Sequence, residues 1–287
     1  MSEENREPKT SRKLFFGLFV FPVLIAVGMA ALLCFVVLLT SEEESAESLL
    51  AAIKSGSPGK RLEKAYELSN ELNRGGKSIR TEGIMREIVH ILQDSGRYDP
   101  KTRRYMAVAL SHFEHPEAVH ALKESLNDAD LDVQLYALWS LGALKTRESV
   151  PAITPFLKSE DEALRKMAAY VLGILGDPTV IPELKGLLND PVADVQWNAA
   201  LGLARLGDRS GLEVLLSMLN REALSRRRLS QDQIEGIMVS AAKGLAFIEE
   251  PRAVEGLERA ARGDKSLKVR QAALEAIEYQ KGKKESE

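Results

Sequence analysis

The chain has 287 residues, 45% apolar, 28% charged and 6% aromatic, with a formal net charge of −3. Such a composition can bury a sizeable core and excludes collagen-like and disordered chains, and its acidic balance makes nucleic acid a poor partner. The only cysteine is Cys34, so an intrachain disulfide is excluded.

Residues 1–13 form a tail containing Arg6, Lys9, Arg12 and Lys13. Residues 14–39 then run for 26 positions without a charge. As a helix this run would be roughly 39 Å long, more than the ~30 Å hydrocarbon core requires. Residues 14–40 are therefore predicted to be one transmembrane helix. A cleaved signal peptide fits less well, because the apolar run exceeds the usual h-region. A lipoprotein cut before Cys34 would want a small residue where Leu33 stands. Within the span Ala26 and Ala30 form a small-xxx-small pair, a spacing that permits helix pairing. The basic residues precede the span and none follows until Lys54, which predicts a cytoplasmic N-terminus. The bulk of the chain is then expected beyond a bacterial inner membrane, periplasmic or extracytoplasmic. The inverted alternative keeps it in the cytoplasm. Residues 41–47 read as an acidic linker.

The helical pattern starts at residues 48–56 and 60–72, an atypical capping pair at 48–73 with Leu62, Ala65, Leu68 and Leu72 on its inner side. Further on, a template of apolar anchors at offsets 0, 4, 5, 8 and 11 recurs. It reads Val133, Ala137, Leu138, Leu141, Leu144, then Leu164, Ala168, Ala169, Leu172, Leu175, then Val195, Ala199, Ala200, Leu203, Leu206. A fainter copy begins at Thr102, and the starts at 102, 133, 164 and 195 are 31 residues apart. The next copies start at Ile237 and Val269, so the first of these steps is 42 and carries an insertion of 11 residues, placed at 220–233. A second template lies about 14 positions earlier in each unit, as in Val150, Ile153 and Leu157. Each unit is thus two amphipathic helices, and no segment has the period of two that a strand requires. The expected fold is all-α, about seven helix pairs over 48–280, followed by a charged tail at 281–287.

The strings VQWNAALGLARLGD (195–208), LRKMAAYVLGILGD (164–177) and VIPELKGLLND (180–190) resemble HEAT repeats of the short bacterial type, also called phycobilisome-lyase HEAT-like repeats. The resemblance covers residues 82–280 and implies a right-handed solenoid whose second helices line the concave face. It implies little about activity, because the family includes scaffolds, adaptors and a few enzymes.

No enzyme motif survives inspection. Asn73-Arg74-Gly75-Gly76-Lys77-Ser78 ends like a phosphate-binding loop, but Glu71 stands where its first glycine is needed and no strand precedes it. His112, Glu114, His115 and His120 are close in sequence, and His112-x-x-His115 has a ligand spacing. They read instead as turn and capping histidines. Deoxyhypusine hydroxylase, a relative of this repeat, carries iron-binding His-Glu dipeptides, and this chain has none. The expectation is no catalytic residue, no metal, no cofactor and no small-molecule substrate, hence not an enzyme. A lyase-like or metal-binding member of the family is the alternative.

Surface aromatics point elsewhere. At about 100° per residue the anchors centre near 60°, whereas offset 6 lies near 240°, on the opposite side of the helix. Offset 6 holds Val108, Trp139, Tyr170, Leu201, Lys243 and Glu275, offset 2 adds Leu135 and Trp197, and offset 3 adds Tyr105 and Tyr136. Trp139, Tyr170, Trp197, Leu201 and Tyr136 are the candidate partner-binding strip, because exposed apolar patches mark interactions. The competing reading is lateral packing between neighbouring second helices. Arg226, Arg227 and Arg228 in the insertion add a basic rim for an acidic partner, against which stands a merely solvated extension. The function expected from these features is a membrane-anchored scaffold or adaptor that binds a protein partner in the cell envelope.

Overall fold

The computed structural model describes residues 21–40, 45–75 and 79–286, and the chain divides into two units, Met1–Ser45 and Ala46–Glu287. In the first unit α1, Phe21–Thr40, is a 20-residue helix without an acidic or basic side chain. Its described apolar side chains are exposed, from 48% at Ile25 to 62% at Leu33. Among the described residues, however, no helix is long and apolar enough to cross a membrane. The expected span over 14–40 is therefore not carried by the structure. Its first part, the tail 1–13, the Cys34 side chain and most of the linker lie outside the described residues.

The second unit is helical throughout, with no strand among the described residues. It begins with α2 (Ala46–Ser55) and α3 (Pro58–Arg74), then α4 (Glu82–Gln93) and α5 (Pro100–Leu110), then α6 (Pro116–Ser125) and α7 (Leu131–Ala143). The next pairs are α8 (Val150–Ile153) with α9 (Glu162–Leu175) and α10 (Ile181–Gly186) with α11 (Ala193–Arg205). There follow α12 (Leu212–Met218), the short α13 (Arg221–Ser225) and α14 (Gln231–Leu245), and last α15 (Pro251–Gly263) and α16 (Leu267–Ser286). Seven pairs result, with α13 inserted into the sixth. Both α8 and α10 are flanked by 3-10 turns. Within the turn Thr154–Lys158, Pro155 has no N–H to donate to an α-helical bond.

The same positions begin and end successive second helices. Asp99, Asp130 and Asp161, 31 residues apart, are the N-caps of α5, α7 and α9, and each carboxylate accepts backbone N–H groups of the first turn. At the other end Lys145, Gly176 and Gly207 take the left-handed conformation, with φ of 53°, 70° and 75°. The second helices α3, α5, α7, α9, α11, α14 and α16 each contact the next, forming a continuous row. Between α9 and α11 the approach is so close that a Cβ on Gly173 would lie 2.5 Å from the Gly202 Cα.

Most template anchors are buried, as expected, including Val133, Leu138, Leu172, Val195 and Leu203. Leu274 departs from the pattern at 47% exposure. It belongs to α16, the last helix of the row, and no further described helix stacks against it. In α14 the buried residue is Met238, with Ile237 only half-buried. The core falls into two clusters, one from Ala46 to Leu203 and one from Trp197 to Ala276, and both reach α11.

Charges are also buried, at the turn between the two helices of a repeat. Arg165 donates from Nε to Asp190 Oδ2 at 2.8 Å and from Nη2 to Oδ1 at 3.2 Å, and one double repeat earlier Arg103 donates to both carboxylate oxygens of Asp128 from Nη1 and Nη2. Each arginine also donates to carbonyls of its own turn, Ser159 and Glu160 for Arg165, Tyr98 for Arg103. Gln134 and Gln196 occupy the arginine position in alternate repeats and donate to the carbonyls of Asp128 and Asp190, both at 2.6 Å. In α14 that position is Met238, which cannot donate. The guanidinium for Asp264 comes instead from Arg221 of α13, at 2.8 and 2.7 Å.

Candidate partner-binding face

The candidate face consists of the outward positions of the second helices. Trp139 on α7 is 38% exposed and Tyr170 on α9 is 37% exposed, large fractions for aromatics in a packed helical row. Tyr136 and Leu201 are half-buried and pack against the two core clusters, Tyr136 on the first and Leu201 on the second. Leu201 also fills the space over Gly244, whose Cβ would lie 2.8 Å from Leu201 Cδ2. Part of the strip is thus lateral packing and part is open surface.

Trp197 corrects the sequence expectation. Its side chain is only 9% exposed and belongs to the cluster that holds Leu224, Ile234 and Met238. Helical angle places it opposite the core of its own pair, but the inserted α13 and the start of α14 enclose it. The Arg227 guanidinium lies 5.3 Å from the Trp197 ring centroid. Arg227 therefore packs on the insertion's own aromatic partner. Arg226 forms an exposed i,i+4 pair with Glu222, and Arg228 is exposed.

Cations accompany the other rings too, which the sequence reading did not register. Arg104 lies 5.3 Å from the Tyr105 centroid and 5.9 Å from that of Tyr136, and Arg205 lies 5.9 Å from that of Tyr170. Tyr105 also meets Tyr66 edge to face at 5.5 Å. The signal was present: Arg104 and Arg205 sit at offsets 2 and 10, within about 40° of offset 6.

The histidines do not converge on a metal. His115 caps α6, its Nδ1 accepting the Glu117 N–H at 3.2 Å, and His120 pairs with Glu124 on the exposed side of that helix. His112 and His115 line a cavity of about 380 Å³ with Arg80, Glu82 and Met85. Burial there lowers the His112 pKa, and the Arg80 charge lowers it further. Among the described residues no three metal-ligating side chains come together. Of the loop at 73–78, Gly76, Lys77 and Ser78 lie outside the described residues.

The family profile of HEAT repeats matches residues 86–154, 121–195, 151–233 and 186–278, well over half of the chain in overlapping units. The chain belongs to the HEAT repeats. Its fold is similar to that in the complex of CpcE and CpcF of phycocyanin lyase from Nostoc sp. PCC7120, with 20% identity, a TM-score of 0.54, and coverage of 84% of this chain and 96% of that one. An engineered protein matches at 21% identity and TM-score 0.44, over 83% of this chain and 96% of its own. Human deoxyhypusine hydroxylase matches at 17% and 0.36, over 83% and 84%. No curated protein matches the chain. The phycocyanin lyase comparison corrects one expectation. A similar fold occurs in the CpcE and CpcF complex of phycocyanin lyase, so the expectation that this chain is not an enzyme does not stand on its architecture.

Proposed function

We propose that this HEAT-repeat chain is a scaffold that binds a protein partner through the face formed by its second helices. The carrying observation is the pair of exposed aromatics, Trp139 and Tyr170, on adjacent helices in the middle of a row whose other strongly exposed large apolar side chains lie mainly at its two ends, Tyr66 on α3 and Leu267, Leu274 and Tyr279 on α16. Exposed aromatics with apolar neighbours are the usual anchors of protein interfaces. The fold's occurrence in a complex of two chains, CpcE and CpcF, supports the same reading.

The scaffold is held at a membrane by its N-terminal segment. In support stand the 20 uncharged residues of α1, which as a helix extend about 30 Å, and the uncharged residues 14–20 before them. The basic residues before this segment place the N-terminus in the cytoplasm and the repeats on the far side. Alkaline phosphatase fused after Glu287 is expected to be active, and a well-expressed inactive fusion that fluoresces with a cytoplasmic reporter would reverse the topology. Affinity capture from detergent-solubilised membranes tests the face. Trp139→Ala with Tyr170→Ala is expected to release a partner that the parent chain retains, and retention by a folded double variant would remove the face from consideration.

A further inference from the structure

The same face carries cations that no carboxylate neutralises. Arg205, stacked near Tyr170, makes no ion pair or hydrogen bond among the described residues, and neither does Lys243. Lys243 stands on α14 at the position that Trp139, Tyr170 and Leu201 hold on the three preceding second helices, and it is exposed. Arg227 reaches the Trp197 ring from the bend after α13, likewise without a carboxylate. Several other exposed arginines are matched, Arg86 with Glu82, Arg209 with Glu250 and Arg252 with Glu213, whereas Arg74, Arg228 and Arg259 also lack a carboxylate among the described residues, so what sets Arg205 apart is its place beside Tyr170 on this face. Of the acidic groups on the face, Asp132 and Asp194 lie in the first turns of their helices and pair with Arg104 and Lys166, and the exposed Glu275 on α16, one helix beyond Lys243, accepts from Gln271.

We propose that this face receives a protein segment in which an apolar side chain is followed by carboxylates, a proposal that rests on the partner-binding reading above. The apolar side chain meets Trp139 and Tyr170, and the carboxylates meet Arg205 and Lys243. A guanidinium laid on a tyrosine ring is held in place while the N–H groups along its edge remain free, which suits it to a bidentate carboxylate. From α7 to α14 there are three helix-to-helix steps, about 24–30 Å at the usual 8–10 Å spacing. An extended segment of about nine residues covers that distance. A polyanion such as nucleic acid fits less well, because the cations are few, aromatic and apolar groups lie between them, and the chain's net charge is −3.

The test uses the full chain in detergent and two nine-residue peptides, one with two leucines followed by glutamates, the other with glutamines in place of the glutamates. With only two tryptophans in the chain, Trp197→Phe leaves Trp139 as the sole emitter. The glutamate peptide is expected to shift Trp139 emission to the blue and shield it from iodide, and the glutamine peptide to bind at least tenfold more weakly. Anisotropy of labelled peptides with the unaltered chain repeats the measurement without relying on that variant. Arg205→Glu with Lys243→Glu is expected to lose the glutamate peptide and to gain a lysine counterpart. Equal binding of glutamate and glutamine peptides would overturn the proposal, as would displacement of the peptide by oligothymidine at equal concentration. If partner capture needs Trp139 and Tyr170 while the peptides fail, only this inference falls. If capture does not need them, the face itself is wrong.

Discussion

The block from α5 to α11 and the step from α11 to α14 solve the same packing problem with different chain lengths. In the regular block the 31-residue spacing delivers a guanidinium to each second buried turn carboxylate, Arg103 to Asp128 and Arg165 to Asp190. At the step the spacing is 42, the arginine position holds Met238, and Arg221 of the extra helix supplies Asp264 instead. The insertion also covers Trp197, which the regular repeats leave no element to cover. What recurs is therefore the satisfied carboxylate and the covered apolar surface, and the register of the sequence is one means of providing them. The two core clusters meet where the register changes.

That comparison can be broken at several points, and the largest effects are expected in the core. Leu172→Ala and Leu203→Ala in the regular block should each cost about 2–5 kcal/mol in a thermal or denaturant melt, and Trp197→Ala at the step about 3–5 kcal/mol. A melt unchanged by Trp197→Ala would show that the insertion does not enclose the ring. Nearly as large an effect is expected from Arg165→Ala, about 3–5 kcal/mol, because it strands the buried Asp190 carboxylate. Arg221→Ala should fall in the same direction if the inserted arginine truly replaces the regular one.

Acid provides a milder probe of these pairs. Burial, the largest single influence, would raise the carboxyl pKa of Asp190 and Asp264, but hydrogen bonds from Arg165 and Arg221, backbone N–H groups of Val192 and Ser266 and the nearby positive charges together outweigh it and hold both below the usual carboxylate value. A carboxyl lowered in the folded chain is ionised there while its unfolded counterpart still binds a proton. Its stabilisation is therefore complete above about pH 4 and is lost as pH falls through the folded values. Melting temperature followed from pH 6 to pH 2 should drop in that window, and Asp190→Asn should flatten the drop.

Smaller effects should come from the surface. Trp139→Ala should shift stability by under about 1 kcal/mol, in contrast to Trp197→Ala, because its ring is far more open. The slightest expected change is a gain: Lys145 holds a left-handed conformation that glycine holds in the next two repeats, so Lys145→Gly should stabilise by about 0.5–1 kcal/mol. A loss instead would mean that the side chain itself contributes at that turn.

Local chemistry written in the sequence was enough for the helix pairs. The anchors at 3- and 4-residue spacing act within one or two helical turns, so they can be read without knowing what lies beside them, and the aspartates that open α5, α7 and α9 and the left-handed residues that close α7, α9 and α11 act just as locally. Membership of the candidate strip was legible only in part. Helical angle tells which side of a helix faces away from its own partner, and on that basis Trp139, Tyr170 and Trp197 are equivalent. Whether such a side is open depends on what the next unit places over it, and that is decided by elements 25 or more residues away. Tertiary packing left Trp139 and Tyr170 exposed, enclosed Trp197 beneath the insertion, and left Leu274 uncovered on the last helix. The pairing of Arg221 with Asp264 across 43 residues belongs to the same class, because a buried carboxylate selects its partner by reach and not by register.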